Sequence, residues 1–295
     1  MVQLSDEELI SELQSRFEQN KKTLLELNRL NKILTKVNDQ LSEAEAMKSH
    51  FISNISNEIV NPFTSILVLS KSILEAEKES WKKVISMVSL IHIEAFNLDF
   101  QFKNIFAAAK IEAGEVSLEI SKVNIFGVLE ELTESFKYEI KRKRLQVAKT
   151  INNENSDAMN IKSDAGKIKL ILSNLLSNAI RFSPEGGTIK INSYRKNKNL
   201  VCEIHDQGMG ISKENQEIIF DRFKKLDSGI SSMNRGHGLG LSIIKAYLEL
   251  MEGNIEIDST PGKGSKFAIT IPESEGMIEG YSLNGNEVFF EEDLN

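Results

Sequence analysis

Apolar residues recur at heptad spacing through the first 45 residues, a segment without proline or glycine. Two complementary series carry the repeat: Leu13, Leu27, Leu34 and Leu41, and Leu30, Val37 and Ala44. A sustained apolar repeat of this period is typical of a coiled coil. We therefore predict a parallel, dimeric coiled-coil helix over residues 1–45. The alternative is a single amphipathic helix packed on its own domain.

The helical pattern continues through residues 46–77, and a second helix is predicted for about Trp81–Ala113, ending at Gly114. Its apolar positions step by three and four residues: Val84, Val88, Ile91, Ala95, Leu98, Phe102, Ile105 and Ala109. Pro62 inside the first helix predicts a kink. Two helices joined by a short turn form a hairpin, and two hairpins form a four-helix bundle. We therefore predict that residues 46–114 are a helical hairpin that dimerises as such a bundle.

After Gly114 the pattern changes to short strands and helices, which predicts an α/β domain over residues 115–272. Alternation indicates strands at Val116–Ile120, Leu145–Ile151, Thr188–Tyr194, Leu200–His205, Asn254–Asp258 and Lys266–Ile271. Helical periodicity indicates helices at Ile125–Ile140, Asp164–Phe182, with Asp164 as N-cap, and Leu239–Met251. This mixture predicts a sheet covered by helices on one face, and the whole chain is expected to be an α+β multidomain protein.

Charge is unevenly distributed along the chain. The net charge is −7, and residues 273–295 contain seven acidic residues and no basic ones. This acidic C-terminal tail is either a small hairpin around Asn284-Gly285 or an acidic extension. The remaining chain is near neutral, so no nucleic-acid surface is expected. The basic run Lys141-Arg142-Lys143-Arg144 is interpreted as cations at a helix C-terminus, with a phosphate-binding patch as the alternative.

Several further features bear on the compartment and on metals. No apolar run approaches the roughly 20 residues of a membrane-spanning helix, and the acidic N-terminus lacks the features of a signal peptide. The single cysteine, Cys202, lies in an alternating apolar run and is predicted to be a buried core thiol. These points favour the cytoplasm. The dispersed histidines show no metal-ligand spacing.

Three polar residues share one face of the predicted helix at residues 164–182. Asn174, Asn178 and Arg181 lie at positions i, i+4 and i+7, and such positions are neighbours on a helix. An amide oxygen can coordinate Mg²⁺, and a guanidinium can contact phosphate. A second segment, residues 206–210 (Asp-Gln-Gly-Met-Gly), directly follows a predicted strand. Its carboxylate can accept a hydrogen bond from an exocyclic amine, and its glycines permit close backbone approach.

Two further segments are rich in glycine. Residues 235–242 (Arg-Gly-His-Gly-Leu-Gly-Leu-Ser) lead into a predicted helix, and residues 261–267 (Pro-Gly-Lys-Gly-Ser-Lys-Phe) form a turn between the last two strands. Free backbone amides and the positive end of a helix dipole suit a polyphosphate. Each of the four segments is a weak indication by itself, and the case depends on their order and separation.

That order and separation resemble the N, G1, G2 and G3 boxes of the histidine-kinase ATP-binding domain. Residues 219–223 (Ile-Phe-Asp-Arg-Phe) resemble the intervening F box, and the resemblance covers about residues 45–272. It implies an α/β-sandwich ATP-binding domain of the histidine-kinase, gyrase and chaperone type, with ATP and Mg²⁺ as ligands.

The resemblance also implies a role for each matching residue. Asn178 would hold Mg²⁺, with Asn174 nearby on the same face, and Arg181 would contact phosphate. Asp206 would bind the adenine amine. The other matches are glycines: Gly208 and Gly210 at the adenine wall, and Gly236, Gly238 and Gly240 in a lid on the phosphate side.

Residues 56–62 (Ser-Asn-Glu-Ile-Val-Asn-Pro) resemble the phosphoacceptor box of the same family, with Asn57 at the position of the acceptor histidine. An amide nitrogen is a poor nucleophile because its lone pair is delocalised, so self-phosphorylation at this position is not expected. The resemblance implies that Glu58 is the general base. It also implies that Asn61 orients the water that dephosphorylates a partner receiver domain. Val60 departs from the family pattern, where a polar residue is usual.

Four interpretations remain open at this stage. The chain is a degenerate histidine kinase that binds ATP and a response-regulator receiver domain as a homodimeric phosphatase or scaffold. Alternatively, it is a kinase subunit that phosphorylates the histidine of a heterodimeric partner. A third interpretation is a non-enzymatic, nucleotide-gated interaction protein, and a fourth is an ordinary sensor kinase with an engineered change of histidine to asparagine. Its input is expected from an upstream sensor protein or from a sensor domain outside this chain.

Overall fold

The computed structural model describes residues 6–76, 80–152, 159–221, 238–276 and 280–282. It contains two compact units, Met1–Asn54 and Ile55–Asn295. Helix α1 extends over Asp6–Leu74 and includes Pro62, which is buried. The apolar heptad side chains that are described, such as Leu27 and Leu34, are all more than half exposed in the single chain. The coiled coil therefore remains a prediction.

Helix α2 covers Trp81–Ala113, as predicted, and ends at Gly114. Gly114 adopts a left-handed conformation with φ of 69°, which a glycine tolerates because it has no Cβ. Few α2 side chains are buried in this chain: Met87, Ile93, Asn104 and Ala107. The helix contacts the α/β domain, and the Phe96 and Phe136 rings meet edge to face with their centroids 5.0 Å apart.

Among the described residues, two sheets form the α/β domain. The larger has the order β2-β4-β5-β7-β6, and its strands are β2 (Gln146–Asn152), β4 (Thr188–Lys196), β5 (Asn199–Asp206), β6 (Asn254–Thr260) and β7 (Gly264–Pro272). Only the β2–β4 pair of this sheet is parallel. The smaller sheet has the order β3-β1-β8, with β1 (Ser121–Asn124), β3 (Asn160–Ser163) and β8 (Gly280–Ser282). Cys202 on β5 is buried as predicted, and burial raises the pKa of its thiol to about 12.

Five helices of this domain lie among the described residues: α3 (Ile125–Ser135), α4 (Lys137–Arg142), α5 (Ala165–Phe182), α6 (Lys213–Ile218) and α7 (Gly240–Leu250). Helix α5 provides much of the core, since Ile168, Leu172 and Leu176 are fully buried. These apolar positions recur at helical spacing, which lets one face of α5 pack on the sheet. Helical N-terminal segments and an α/β domain are thus both present. The four-helix bundle remains a prediction.

Helix α5 is closed at both ends by side chains. Asp164 accepts a hydrogen bond from the Lys167 backbone N–H at 2.9 Å, as an N-cap does. At the other end the Lys143 ammonium donates to the carbonyl oxygens of Ile180, Arg181 and Ser183 at 2.8, 2.8 and 2.9 Å. Burial lowers the pKa of Lys143, and the nearby Arg142 and Arg181 charges lower it further. One cation of the basic run therefore satisfies carbonyls at the end of a different helix.

Several elements differ from the sequence predictions, and helix α6 and strand β8 are among those not predicted. No strand forms at Val116–Ile120, and β1 begins at Ser121. The Glu119 backbone N–H donates to the Asp164 carboxylate instead of to a neighbouring strand. The predicted helix Ile125–Ile140 is two helices, which are separated at the buried Phe136. Strand β3 was not predicted.

Residues beyond 272 also contact the α/β domain. Glu273 accepts a hydrogen bond from Arg195 at 2.8 Å, and the Ser274 N–H donates to the Lys162 carbonyl at 2.9 Å. Strand β8 pairs in parallel with β1. The predicted turn at Asn284-Gly285 lies outside the described residues.

Candidate nucleotide-binding site

Asp206 is the last residue of β5, and its carboxylate is buried at the end of the strand. Its Oδ1 accepts a hydrogen bond from the Gly208 N–H at 2.7 Å. Burial raises the pKa of Asp206, while hydrogen bonds from the backbones of Gly208 and Ser265 act in the opposite direction. A buried carboxylate with acceptor capacity left over is suited to a neutral N–H donor such as an adenine amine.

The loop after Asp206 packs closely against the backbone at the ends of α5 and β6. A Cβ at Gly208 would lie 2.8 Å from the Phe182 carbonyl oxygen, at the end of α5. A Cβ at Gly210, where φ is +70°, would lie 2.0 Å from the carbonyl oxygen of Thr260, at the end of β6. Any side chain at these two positions would collide with backbone atoms, which explains why glycine occupies both. The loop thus contacts the end of α5 and the β6–β7 turn.

Ser259 ties the same loop to the β6–β7 turn, and the sequence reasoning missed it. Its Oγ accepts a hydrogen bond from the Ile211 N–H at 2.8 Å and donates to the Gly264 carbonyl at 2.9 Å. The Met209 carbonyl also accepts from the Gly262 N–H at 2.7 Å. Nothing in the local sequence distinguishes this serine from an ordinary strand residue, because its partner Ile211 comes from a distant segment.

Helix α5 reaches this loop at its last residue, Phe182, and carries the three polar residues of the predicted site. Asn178 and Arg181 are half-buried, and the Arg181 Cζ lies 4.4 Å from the centroid of the Phe182 ring. Asn174 is buried, and its Nδ2 donates to the Leu170 carbonyl at 2.9 Å and to Asn104 Oδ1 at 2.7 Å. Asn104 belongs to α2, and the sequence reasoning did not identify it.

Helix α7 begins next to Asn174. A Cβ at Gly240 would lie 2.5 Å from Asn174 Oδ1, so the first residue of α7 directly contacts α5. Among the described residues no side chain caps this helix start, which leaves its first backbone N–H groups available to an anion. Gly238, with φ of 68°, leads into the helix. Gly236 lies outside the described residues, so its place in the lid remains a prediction.

These groups fit a nucleotide with its magnesium ion. The Asp206 carboxylate suits an amine, the start of α7 suits phosphate, and the Asn178 amide oxygen suits a hard cation. In the part of the chain that the structure describes, no group of three or more His, Cys, Asp or Glu residues could hold a metal. A cation held by one amide and by phosphate oxygens is compatible with that finding, because Mg²⁺ commonly takes few protein ligands.

The residues that resemble a phosphoacceptor box lie on α1. The Asn61 and Val60 side chains are exposed, whereas the side chains of Asn57 and Glu58 lie outside the described residues. Positions 57 and 61 are one turn apart on this helix and therefore share a face. The roles of the three polar residues remain predictions.

Comparison with known proteins identifies the α/β domain. Residues 163–275 match the family model for histidine kinase-, DNA gyrase B- and HSP90-like ATPases. The circadian input-output histidine kinase CikA of Synechococcus elongatus is 28% identical over 80% of this chain and 31% of its own length. The sensor-like histidine kinase SenX3 of Mycolicibacterium smegmatis is 27% identical over 80% of this chain and 61% of its own length. The chain thus spans less than two thirds of either relative.

The fold agrees with these matches. The structure of full-length ShkA in complex with AMPPNP superposes with a TM-score of 0.53, at 21% identity, over 76% of this chain and 46% of that one. The segment carrying Asn174, Asp206 and the glycine loops is a histidine-kinase-type ATPase domain, a class of domain that binds ATP. Among the described residues, no helix combines the length and apolarity needed to cross a membrane.

Proposed function

We propose that this chain is a two-component signalling protein of the histidine-kinase type that binds ATP and Mg²⁺ and does not phosphorylate itself at position 57. The observation that carries the nucleotide part is the convergence of the buried Asp206, its glycine loop, the α5 polar face and the uncapped start of α7. Asp206 binds the adenine amine, Asn178 holds Mg²⁺ and Arg181 contacts phosphate.

We propose a response-regulator receiver domain as the protein partner and the helical hairpin as its binding surface. Asn57 cannot accept a phosphoryl group, whereas Glu58 and Asn61 keep the positions needed to activate and orient water. The proposed activity is therefore dephosphorylation of the receiver domain. In this scheme Asn61 orients the attacking water, and its exposed side chain is accessible to a docked partner.

We propose a homodimer as the assembly. The exposed apolar side chains on the hairpin helices support it, because Leu67, Val88 and Phe106 lie uncovered in the single chain. A heterodimer with an active kinase is the second candidate, and the retained nucleotide segments of the sequence favour it, since a pure phosphatase has no need to transfer phosphate from ATP. In that case this chain phosphorylates the partner's histidine.

Two measurements test the phosphotransfer chemistry. Incubation with γ-labelled ATP is expected to leave no acid-labile label on the purified chain, and Asn57→His is expected to restore it. Label on the unchanged chain contradicts the proposal. Failure of Asn57→His to gain label, in a protein that still binds ATP, indicates a second lesion, and Val60→Arg in the same background tests that position.

The phosphatase activity is tested on receiver domains phosphorylated beforehand with a small-molecule phosphodonor. The chain is expected to shorten the lifetime of the phosphoaspartate in one member of a receiver panel, and Asn61→Ala is expected to abolish this effect. Thr64→Ala, an exposed change on the same helix, is the matched control. If no receiver responds but a histidine-bearing partner kinase becomes labelled in trans, the heterodimer is correct.

A further inference from the structure

We propose that Asn104, on hairpin helix α2, is a positioning residue for the nucleotide site that acts through Asn174. The inference rests on the proposed ATP binding and extends it to the hairpin. The main evidence is a buried hydrogen bond of 2.7 Å from Asn174 Nδ2 to Asn104 Oδ1. The two residues are 70 positions apart in the sequence. Both residues are almost fully buried, since Asn104 is 6% and Asn174 is 5% exposed.

The network leaves one orientation for each amide. Asn104 Nδ2 donates to the Phe100 carbonyl at 3.0 Å, so its oxygen faces Asn174. Asn174 must then present its own nitrogen, and the Leu170 carbonyl takes the second hydrogen at 2.9 Å. Both amide hydrogens are used in these two bonds, and the Asn174 oxygen lies against Gly240. The hairpin thereby directs this oxygen toward the start of α7.

Ring contacts hold α2 against the domain at the same time. Phe96 and Phe100 meet the Phe136 ring at centroid distances of 5.0 and 6.0 Å, and His92 meets Tyr138 at 5.1 Å. These contacts place Asn104 on a helix whose docking is stabilised elsewhere. Docking of α2 and the orientation of the Asn174 oxygen are therefore linked. Because coupling between two binding events is reciprocal, nucleotide should also strengthen the docking of α2.

The first test measures affinity for ATP in the presence of Mg²⁺ by titration calorimetry on the full chain. Asn104→Ala is expected to weaken binding about fivefold, the factor that corresponds to loss of one buried neutral hydrogen bond. Asn104→Ser is a second variant that should fold. Its hydroxyl can donate to the Phe100 carbonyl, as Ser89 does to Ile85 on the same helix, but is too short to reach Asn174. Asn97→Ala, a half-buried asparagine seven positions earlier, is the matched control and should bind normally.

A double-mutant cycle shows whether the effect passes through Asn174. In the Asn174→Ala background, Asn104→Ala should cause no further loss, whereas an equal loss in both backgrounds overturns the proposal. Unchanged or tighter binding by Asn104→Ala and Asn104→Ser, or an equal loss in Asn97→Ala, also overturns it. If the unchanged chain does not bind ATP, both this inference and the proposed function fail. If the unchanged chain binds ATP and the Asn104 variants bind it equally well, only this inference fails.

The second readout does not depend on activity. Amide hydrogen exchange of residues 93–107 is measured with and without the non-hydrolysable analogue AMPPNP. Nucleotide is expected to slow exchange in the unchanged chain and in Asn97→Ala, and to have no such effect in Asn104→Ala. A purely structural role for Asn104 would raise exchange equally with and without nucleotide, and that result contradicts the coupling.

Discussion

The ATPase domain and the helices α1 and α2, which we predict to form a hairpin, place their apolar residues in opposite environments. Leu172, Ile189 and Ile269 in the domain have no exposed surface, whereas Leu67 on α1 is 55% and Phe106 on α2 is 66% exposed. The apolar side chains in the core of the domain are covered by other residues of the same chain. The hairpin presents apolar surface that only a second surface can cover. We therefore expect the domain to be stable alone and the hairpin to gain its stability from association.

The closed core of the domain should respond most strongly to mutation. Leu172→Ala should lower the free energy of unfolding of the ATPase domain by about 2–5 kcal/mol, because the truncation leaves a cavity among packed side chains. Leu67→Ala should change it by less than about 0.5 kcal/mol in dilute protein. Urea denaturation followed by circular dichroism measures both. Equal losses would show that the two regions do not differ as described.

Nucleotide binding should depend on the domain and not on the exposed hairpin surface. Asp206→Ala is expected to weaken ATP binding roughly tenfold to hundredfold, the range for a hydrogen bond to a charged group. Asp258→Ala, which removes an exposed carboxylate on β6, should leave the affinity unchanged. Titration calorimetry provides the measurement. Normal ATP binding by the Asp206 variant would contradict the proposed role of this carboxylate in binding adenine.

The exposed hairpin face should determine self-association. Leu67→Ser is expected to raise the dimer dissociation constant by about tenfold or more, since burial of a leucine side chain is worth about 1.5–3 kcal/mol. Sedimentation equilibrium measures this constant, with the exposed Lys82→Ala as a control on α2. A chain that is monomeric at all concentrations would indicate that another protein covers the face.

A weaker effect is expected from pH. Burial raises the pKa of Asp206 in the folded domain, so the folded state binds a proton more readily than the unfolded state. Stability should therefore decrease as pH rises from the ordinary value of 3.8 through the raised pKa. ATP affinity should show the opposite trend in that window, because the amine needs the ionised carboxylate. In the Asp206→Asn variant, the melting temperature should depend less on pH in this window. If the stability of this variant still decreases as pH rises, a group other than Asp206 is titrating.

Elements with strong local signals were predictable. The range of α2, its end at Gly114 and the N-cap Asp164 agree with the structure because each depends on residues within one or two turns. Strand β3 and the parallel pairing of β8 with β1 were not predicted. These strands have only four and three residues, and strands this short are stabilised by their ladder partners. The partners of β3 lie on β1, in a distant segment of the chain, and therefore leave no local pattern.

The site residues are a separate case. Asn174, Asp206 and Gly240 were singled out from the order and separation of an asparagine pair and the glycine segments, and their roles stay predictions. Asn104 and Ser259 were missed, because each acquires its role from a partner in another segment, Asn174 for the first and Ile211 for the second. A lone asparagine, next to an apolar position of α2, is too common on helices to mark a site.

Most helices, the chemistry of the nucleotide segments and the absence of a histidine at position 57 could be read from the sequence, since they depend on residue type and local spacing. Which segments meet is visible only in the folded domain: the loop after Asp206 contacts the β6–β7 turn, and Asn104 contacts Asn174. The physical reason is that buried hydrogen bonds and close backbone contacts join residues far apart in the chain. Their partners are therefore set by packing and not by local sequence.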